Sequence, residues 1–343
     1  MNVKESLKNK MTRVAINGFG RIGRNFLRMA VNHPDIEVAA VNDLTNAATL
    51  AYLLKYDSLH RRFAGEVDFT DEALLVNGQK IQILAQRDPA RLPWQKLGVD
   101  IVIESTGLFT SREDAQKHLS SGAKKVIISA PAKNADITIV LGVNQEKYQA
   151  GEQHIISSAS PTTHCAAVLA KILHENQQII SGVMTAVHSY TNEQKVLDLP
   201  HEDMRQGRAA ALSIIPVQSG AEKALGLVLP DLKGKIECGA LRVPTPNVAL
   251  VELVAQLGQP ASAAALNELY KTRSASLPGI LSYTTEKVVS VDFMSDTSSC
   301  VFDTSLTAAV GSLVKLSAWY DNESGYSARL VDLVEFLAQK GIS

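Results

Sequence analysis

Two stretches of this chain hold residue types and spacings that can do chemistry. The first is Ser157-Ser158-Ala159-Ser160-Pro161-Thr162-Thr163-His164-Cys165. It follows the apolar pair Ile155-Ile156 and leads into an amphipathic helical pattern, so small hydroxyls gather at a strand-to-helix corner. Pro161, which has no reactive atom, stands in the middle of it. Ser is a favoured helix N-cap and Pro is well tolerated at the first helical position, so Ser160-Pro161 starts a helix well. Cys165 shares a helical face with Val168, Leu169, Ile172 and Leu173 and is expected in the core. His164 falls in the first turn, where the helix dipole favours the neutral imidazole.

The second stretch is Asn17-Gly18-Phe19-Gly20-Arg21-Ile22-Gly23, a G-x-G-x-x-G run between an apolar strand pattern and a helical one. Its glycines permit a tight turn, a close backbone approach to a pyrophosphate and close helix packing, and the helix N-terminus favours the anion. Asp43 lies 20 residues after Gly23, at the end of the next strand pattern. An acidic side chain there accepts hydrogen bonds from a ribose diol and repels a 2′-phosphate, which predicts NAD rather than NADP. The three cysteines and eight histidines show neither CxxC nor HExxH spacing, so no zinc or disulfide framework is expected.

The elements that must position these residues follow from periodicity. Strands are expected at Arg13–Asn17, Ile36–Asn42, Asp100–Glu104, Lys125–Ser129 and Ile137–Leu141, with a helix over Arg21–Asn32. Buried Val/Ile runs alternating with helices imply a doubly wound, mainly parallel α/β sheet of the Rossmann type. The second half reads as α+β on a larger, mainly antiparallel sheet. Its strands are expected at Val183–His188, Lys235–Val243, Ala249–Leu257, Val288–Phe293 and Val314–Trp319, and its helices at Cys165–Glu175, Ser219–Leu225 and Ser262–Thr272. Tyr190–Ala211 is a long polar segment, and loops of that length in compact domains are usually functional. A final helix carries Leu330, Val334, Leu337 and Ala338 on one face.

The 343 residues are 45% apolar and suggest two domains: 12–160, completed by 322–343, and 161–321. With 34 basic against 35 acidic residues, no broad nucleic-acid or anionic-membrane surface is expected. No apolar run is long enough to span a bilayer. The arm 1–11 is polar and lysine-rich, unlike a secretory signal, and the few scattered cysteines point to a cytoplasmic protein.

Longer motifs identify a family. "RVAINGFGRIGRN", "LLKYDS", "GVDIVIESTGLFT", "GAKKVIISAPAK", "VHSYTNEQKVLDLP", "RAAALSIIP", "LRVPTPNV", "VVSVDF" and "WYDNESGYS" resemble phosphorylating glyceraldehyde-3-phosphate dehydrogenase along nearly the whole chain. The resemblance implies a Rossmann domain, a catalytic domain, a homotetramer, and an S-loop at 190–211 that reaches a neighbouring subunit's cofactor site. For NAD it implies Asn17, Gly18, Gly20, Arg21, Ile22 and Gly23 at the pyrophosphate. It puts Asp43 at the ribose, Arg87 on the adenine side, Thr106 and Ser129 at the nicotinamide half, and Asn322 at the carboxamide.

The family's chemistry needs a cysteine thiolate to attack the aldehyde, with a histidine polarising it; the hemithioacetal yields hydride and phosphate cleaves the thioester. By resemblance His188 is that histidine, and the nucleophile position is Pro161. Ser160, Thr162, Thr191, Ser219, Gly220 and Arg242 match contacts to phosphorylated ligands, whereas Gln206 replaces an arginine there. Val217, Ser324 and His164 also depart from the family pattern. Cys165 is too deep to substitute for the missing thiol, and Ser160 has no base behind it.

These residues predict an NAD-binding homologue defective in phosphorylating aldehyde oxidation, a pseudoenzyme that forms tetramers alone or mixed with an active paralogue. The alternative is an oxidoreductase on a small aldehyde or alcohol, with His188 as base and no thioester. A third reading, a standard dehydrogenase with its nucleophile elsewhere in the chain, ranks below both.

Overall fold

The computed structural model describes residues 11–342, so all of the N-terminal arm but Met11 lies outside the described residues. The chain divides into two compact units. Of the described residues, the first comprises 11–139, Lys147–Ala159 and 327–342; the second comprises Val140–Glu146 and Ser160–Tyr326.

The first unit is built on a nine-stranded sheet. Its spatial order is Ile137–Thr138, Ile155–Ser157, Lys125–Ile128, Ile101–Glu104, Thr12–Asn17, Ile36–Asn42, Gln79–Leu84, Ala73–Val76 and Val67–Thr70. The first seven run parallel, and the last two close an antiparallel meander. The strand order reverses about Thr12–Asn17, which places the switch point at the carboxyl ends of Thr12–Asn17 and Ile101–Glu104, where open α/β sheets bind ligands. Ala15, Val102, Val126, Ile128 and Ile155 pack with Trp94 into one fully buried core. Leu330, Val334 and Leu337 of the Ser324–Lys340 helix are likewise buried, as their spacing predicts, Ala338 is partly buried, and Leu333 is buried as well.

The second unit carries an eight-stranded mixed sheet in the order Ile215–Gln218, Ile236–Val243, Ile179–Ser189, Ala249–Leu257, Leu313–Tyr320, Cys300–Asp303 and Leu281–Thr284, with Ala308–Val310 beside Leu313–Tyr320. Five pairings are antiparallel; Ile179–Ser189 with Ile236–Val243, and Leu281–Thr284 with Cys300–Asp303, are parallel. The Pro161–Gln177 helix packs across the central strands.

Two expected strands are corrected. Val288–Phe293 is a 3-10 turn at Ser290–Phe293, because the Asp292 carboxylate accepts the Val289 N–H at 2.8 Å and curls the chain. That curl stacks Phe293 on Trp319 with ring centroids 5.5 Å apart, leaving Val289 and Val291 exposed. Ile137–Leu141 pairs only through Ile137–Thr138; Gly142 then takes φ +83° and Val143 N–H bonds back to the Val140 carbonyl. The Ile179–Ser189 strand is longer than expected because it pairs on both sides over most of its length. Among the described residues no helix is long and apolar enough to cross a membrane.

Candidate functional site

In the first unit the G-x-G-x-x-G run forms the corner between Thr12–Asn17 and the Arg21–Ala30 helix. Gly18 has φ +93°, and a Cβ there would lie 2.6 Å from the Thr106 backbone nitrogen. A Cβ on Gly23 would meet the Gly18 carbonyl oxygen at 2.3 Å. Both glycines are therefore required by the fold itself. Gly20 has φ −71° and open space around its missing Cβ, so no packing reason demands glycine there. A backbone laid bare at that point suits the close approach of a pyrophosphate.

Asp43 is partly exposed at the end of Ile36–Asn42. One carboxylate oxygen accepts the Phe19 N–H at 2.9 Å and the other the Thr45 N–H at 2.9 Å. Asp43 thus faces the glycine loop, and each oxygen keeps a lone pair for a diol. Arg21 pairs with Asp57 at 3.0 Å. Burial would raise the Asp57 carboxyl, but Arg21 and the His60 and Leu59 N–H groups hold it well below the usual range. Arg87 is exposed on the loop after Gln79–Leu84. Thr106 and Ser129 follow adjacent parallel strands, and the Ser129 N–H bonds the Glu104 carbonyl. These residues fit a dinucleotide: a bare Gly20, a carboxylate for a diol and a helix N-terminus sit around one corner.

Beneath this corner lies a buried polar set that the sequence did not announce. The Glu104 carboxylate accepts from Asn17 Nδ2 at 2.6 Å and from the Thr106 N–H at 2.9 Å. It also bonds the Thr106 hydroxyl and His118 Nε2. Trp94 Nε1–H donates to His118 Nδ1 at 3.0 Å, so the ring donates from Nε2 toward Glu104. One histidine–carboxylate grouping outside the site, His33 with Asp35 and Glu335, is joined by hydrogen bonds: His33 Nδ1 accepts the Asp35 N–H, and Nε2 meets Glu335 at 2.9 Å. A ring that accepts at Nδ1 carries its proton on Nε2, which leaves Nε2 poorly suited to a metal.

In the second unit the Ser160 hydroxyl accepts the Thr163 N–H at 3.2 Å and bonds its hydroxyl at 2.8 Å, an N-cap with Pro161 at the first helical position. The Thr162 hydroxyl meets Tyr320 Oη at 2.7 Å. Tyr320 is fully buried, and burial raises its phenol far above the ordinary range. Its ring lies edge-on to His188, centroids 6.1 Å apart. His188 and Arg242 are register partners on adjacent parallel strands, and Arg242 Nη1 contacts His188 Nδ1. Burial, and next the Arg242 charge, push the His188 imidazolium down to about 4, so the ring is neutral at physiological pH. Thr162, Tyr320, His188 and Arg242 therefore form one cluster. Tyr320 was missed from sequence, where it read only as a residue just past a strand.

Other expected residues are placed differently. The Thr191 hydroxyl is buried without a hydrogen-bond partner and is free for a ligand. Ser219 accepts the Ala221 N–H and so starts the Ala221–Val228 helix, with Gly220 exposed as its N-cap. Asn322 Oδ1 accepts from the Ser189 hydroxyl and the Val248 N–H, which leaves its amide nitrogen free to donate. Gln206 bonds Asp203 at 3.3 Å. His164 is buried edge-on to Tyr326. Cys165 lies fully buried beside Cys300, and burial raises its thiol well above the ordinary range. Cys238 is raised to about 11 by burial.

Residues 12–112 match the glyceraldehyde 3-phosphate dehydrogenase NAD binding domain, and residues 160–322 match the C-terminal domain of the same enzyme. Glyceraldehyde-3-phosphate dehydrogenase of Geobacillus stearothermophilus is 57% identical over 332 residues, covering 96% of this chain and 99% of that protein. Glyceraldehyde-3-phosphate dehydrogenase 1 of Bacillus subtilis (strain 168) is 55% identical, again over 96% of this chain and 99% of that protein. The Streptomyces coelicolor enzyme is 52% identical with the same coverage. The chain belongs to the glyceraldehyde-3-phosphate dehydrogenase family, and its cofactor is NAD.

Proposed function

We propose that this chain is an NAD-binding member of its family that has lost the thiol-dependent step, and with it phosphorylating aldehyde oxidation. The observation that carries this is Pro161. It occupies the first position of the Pro161–Gln177 helix, where a thiolate would gain from the helix N-terminus, and it has no atom that can attack a carbonyl. Nothing nearby replaces it. All three cysteines are buried, and the Ser160 hydroxyl is committed to capping Thr163.

NAD, when bound, supplies a hydride acceptor. Gly18, Gly20, Arg21, Ile22 and Gly23 would hold its pyrophosphate with Asn17 beneath, Asp43 its ribose and Arg87 its adenine side. Thr106 and Ser129 would face the nicotinamide half, and the Asn322 amide its carboxamide. A phosphorylated ligand is supported by the orphaned Thr191 hydroxyl and by Arg242, with Ser160, Thr162, Ser219 and Gly220 as further contacts. Gln206 brings no charge to that task, and charge-assisted bonds are roughly twice as strong as neutral ones. A homotetramer, alone or mixed with an active paralogue, is supported by the exposed Val196, Leu197, Leu199, Met204 and Leu212 in and beside the 190–211 loop. Residence in the cytoplasm is supported by three unpaired cysteines.

A second reading has His188 take a proton from an aldehyde hydrate or alcohol. It is favoured by the burial of His188, which with the Arg242 charge pushes the imidazolium down to about 4 and favours the neutral ring. It requires the proton on Nδ1, facing the Ser189 carbonyl 2.7 Å away, so that Nε2 is bare. Arg242 on Nδ1 imposes the opposite tautomer, because a guanidinium has no lone pair.

The test is steady-state oxidation of glyceraldehyde 3-phosphate by the purified protein with NAD, with and without phosphate. Calorimetric NAD binding with no phosphate-dependent turnover is expected. Turnover at ordinary dehydrogenase rates, from about 1 per second upward, overturns the proposal. Phosphate-independent NAD reduction that is abolished by His188→Asn would establish the second reading instead.

A further inference from the structure

We propose that Glu104 and Ser105 are positioning residues for NAD: they set the shape of the dinucleotide loop from below. Glu104 ends the Ile101–Glu104 strand, and its register partner Asn17 ends Thr12–Asn17, so the pair sits at the switch point of the sheet. Glu104 is 2% exposed, and its carboxylate receives four donors: Asn17 Nδ2, Thr106 N–H, Thr106 Oγ1 and His118 Nε2. Two of these tie it to the 105–107 turn and one to the residue that opens the glycine loop. The Ser105 hydroxyl completes the clamp by donating to the Gly18 carbonyl at 2.7 Å and lying 3.2 Å from the Asn17 carbonyl. Gly18 in turn has no room above the Thr106 backbone. The loop therefore rests on a turn whose shape is fixed by one buried carboxylate.

The chemistry of the donors makes this a requirement for charge rather than for shape. All four groups donate toward the carboxylate, so an ionised side chain satisfies each of them. A glutamine of the same size must turn its NH2 toward either the Thr106 N–H or the Asn17–His118 pair. Donor then faces donor, and the turn or the loop has to shift. Trp94 sits at the far end of the set. Its indole N–H bonds His118 and its ring packs in the core with Ala15, Val102 and Val126; in its absence the Glu104 carboxylate, an acceptor, still calls for a proton on His118 Nε2. The set thus divides into a loop-facing half and a core-facing half.

That division supplies the experiment. NAD affinity of the full chain is measured by calorimetry for Glu104→Gln, Ser105→Ala and Trp94→Phe, with thermal unfolding of each in the absence of NAD. Glu104→Gln is expected to raise the NAD Kd about tenfold or more, and Ser105→Ala several-fold at nearly unchanged melting temperature. Trp94→Phe is expected to lower the melting temperature while keeping the Kd within about twofold. Should Glu104→Gln fail to fold, Ser105→Ala, which loses only a hydroxyl on a partly exposed residue, carries the test alone. An unchanged Kd in Ser105→Ala overturns the proposal. So does a Kd that rises in Trp94→Phe in step with lost stability, since the set would then be structural only.

Discussion

Arg242 Nη1 meets Nδ1 of His188 across two parallel strands in which the two residues are register partners. Burial, and next this contact, hold the His188 imidazolium down at about 4. In the unfolded chain the ring titrates near 6.5. Between those values the unfolded state binds more protons than the folded one, so stability rises with pH through this window and is lost as pH falls from about 6.5 toward 4. The loss amounts to about 3 kcal/mol at the lower end. Arg242→Met removes the second cause of the shift. The His188 pKa, followed by NMR of the ring protons, is expected to rise toward 6.5 while staying depressed by burial. His188→Asn should flatten the acid limb of the stability curve by a comparable amount.

Pro161→Cys tests whether the frame for a thiol survives. The substitution places sulfur at the first position of a helix whose N-cap is intact, on a partly exposed residue. The helix N-terminus lowers a thiol pKa. The native protein should resist alkylation by iodoacetamide, because Cys165, Cys238 and Cys300 are buried. Pro161→Cys should present one rapidly modified thiol, identified by mass spectrometry, and phosphate-dependent NAD reduction should rise by orders of magnitude. A reactive thiol without turnover would locate the defect in the anion contacts, where Gln206 is tied to Asp203.

How much of this was legible in the sequence depended on how local each feature is. The glycine loop, Asp43 and the Ser160-Pro161 helix start depend on neighbours along the chain, and they read directly. His188 and Arg242 were each named, but their contact comes from parallel register between strands 54 residues apart, which no local pattern encodes. Tyr320 sits just past the end of a strand pattern, and its polar role exists only because Thr162 lies opposite. Val288–Phe293 looked like a strand because its apolar residues alternate. One carboxylate, Asp292, curls it into a turn. The Glu104–His118–Trp94 set escaped notice because an acidic residue closing an apolar strand gives no sign of its partners.

Asp43→Asn tests the ribose position. The carboxylate accepts two backbone N–H groups and keeps lone pairs outward. An asparagine retains one acceptor oxygen, so it must give up either the Phe19 or the Thr45 N–H. Charge-assisted bonds contribute about 1.5–3 kcal/mol, so the NAD Kd is expected to rise about tenfold or more. Removing the negative charge also lifts the repulsion of a 2′-phosphate, so the preference for NAD over NADP should narrow. Calorimetry with both dinucleotides checks this, and an unchanged NAD Kd would remove Asp43 from the site.

Gly18→Ala and Gly20→Ala separate what the fold requires from what the ligand requires. Gly18 holds φ +93°, and an added Cβ would meet backbone atoms of Ser105 and Thr106 at 2.6–2.8 Å. A backbone in that region costs an L-residue about 1–3 kcal/mol before any clash. Gly18→Ala should therefore lower the melting temperature by many degrees and abolish NAD binding together. Gly20 has φ −71° and nothing near its missing Cβ. Gly20 is the N-cap of Arg21–Ala30, where alanine is disfavoured, so Gly20→Ala should cost about 0.5–1 kcal/mol and still fold. Its NAD affinity should nonetheless fall, because the added methyl stands where the pyrophosphate must approach the loop. Loss of binding out of proportion to that small loss of stability would place the phosphate over Gly20. Retained binding would move it elsewhere along the loop.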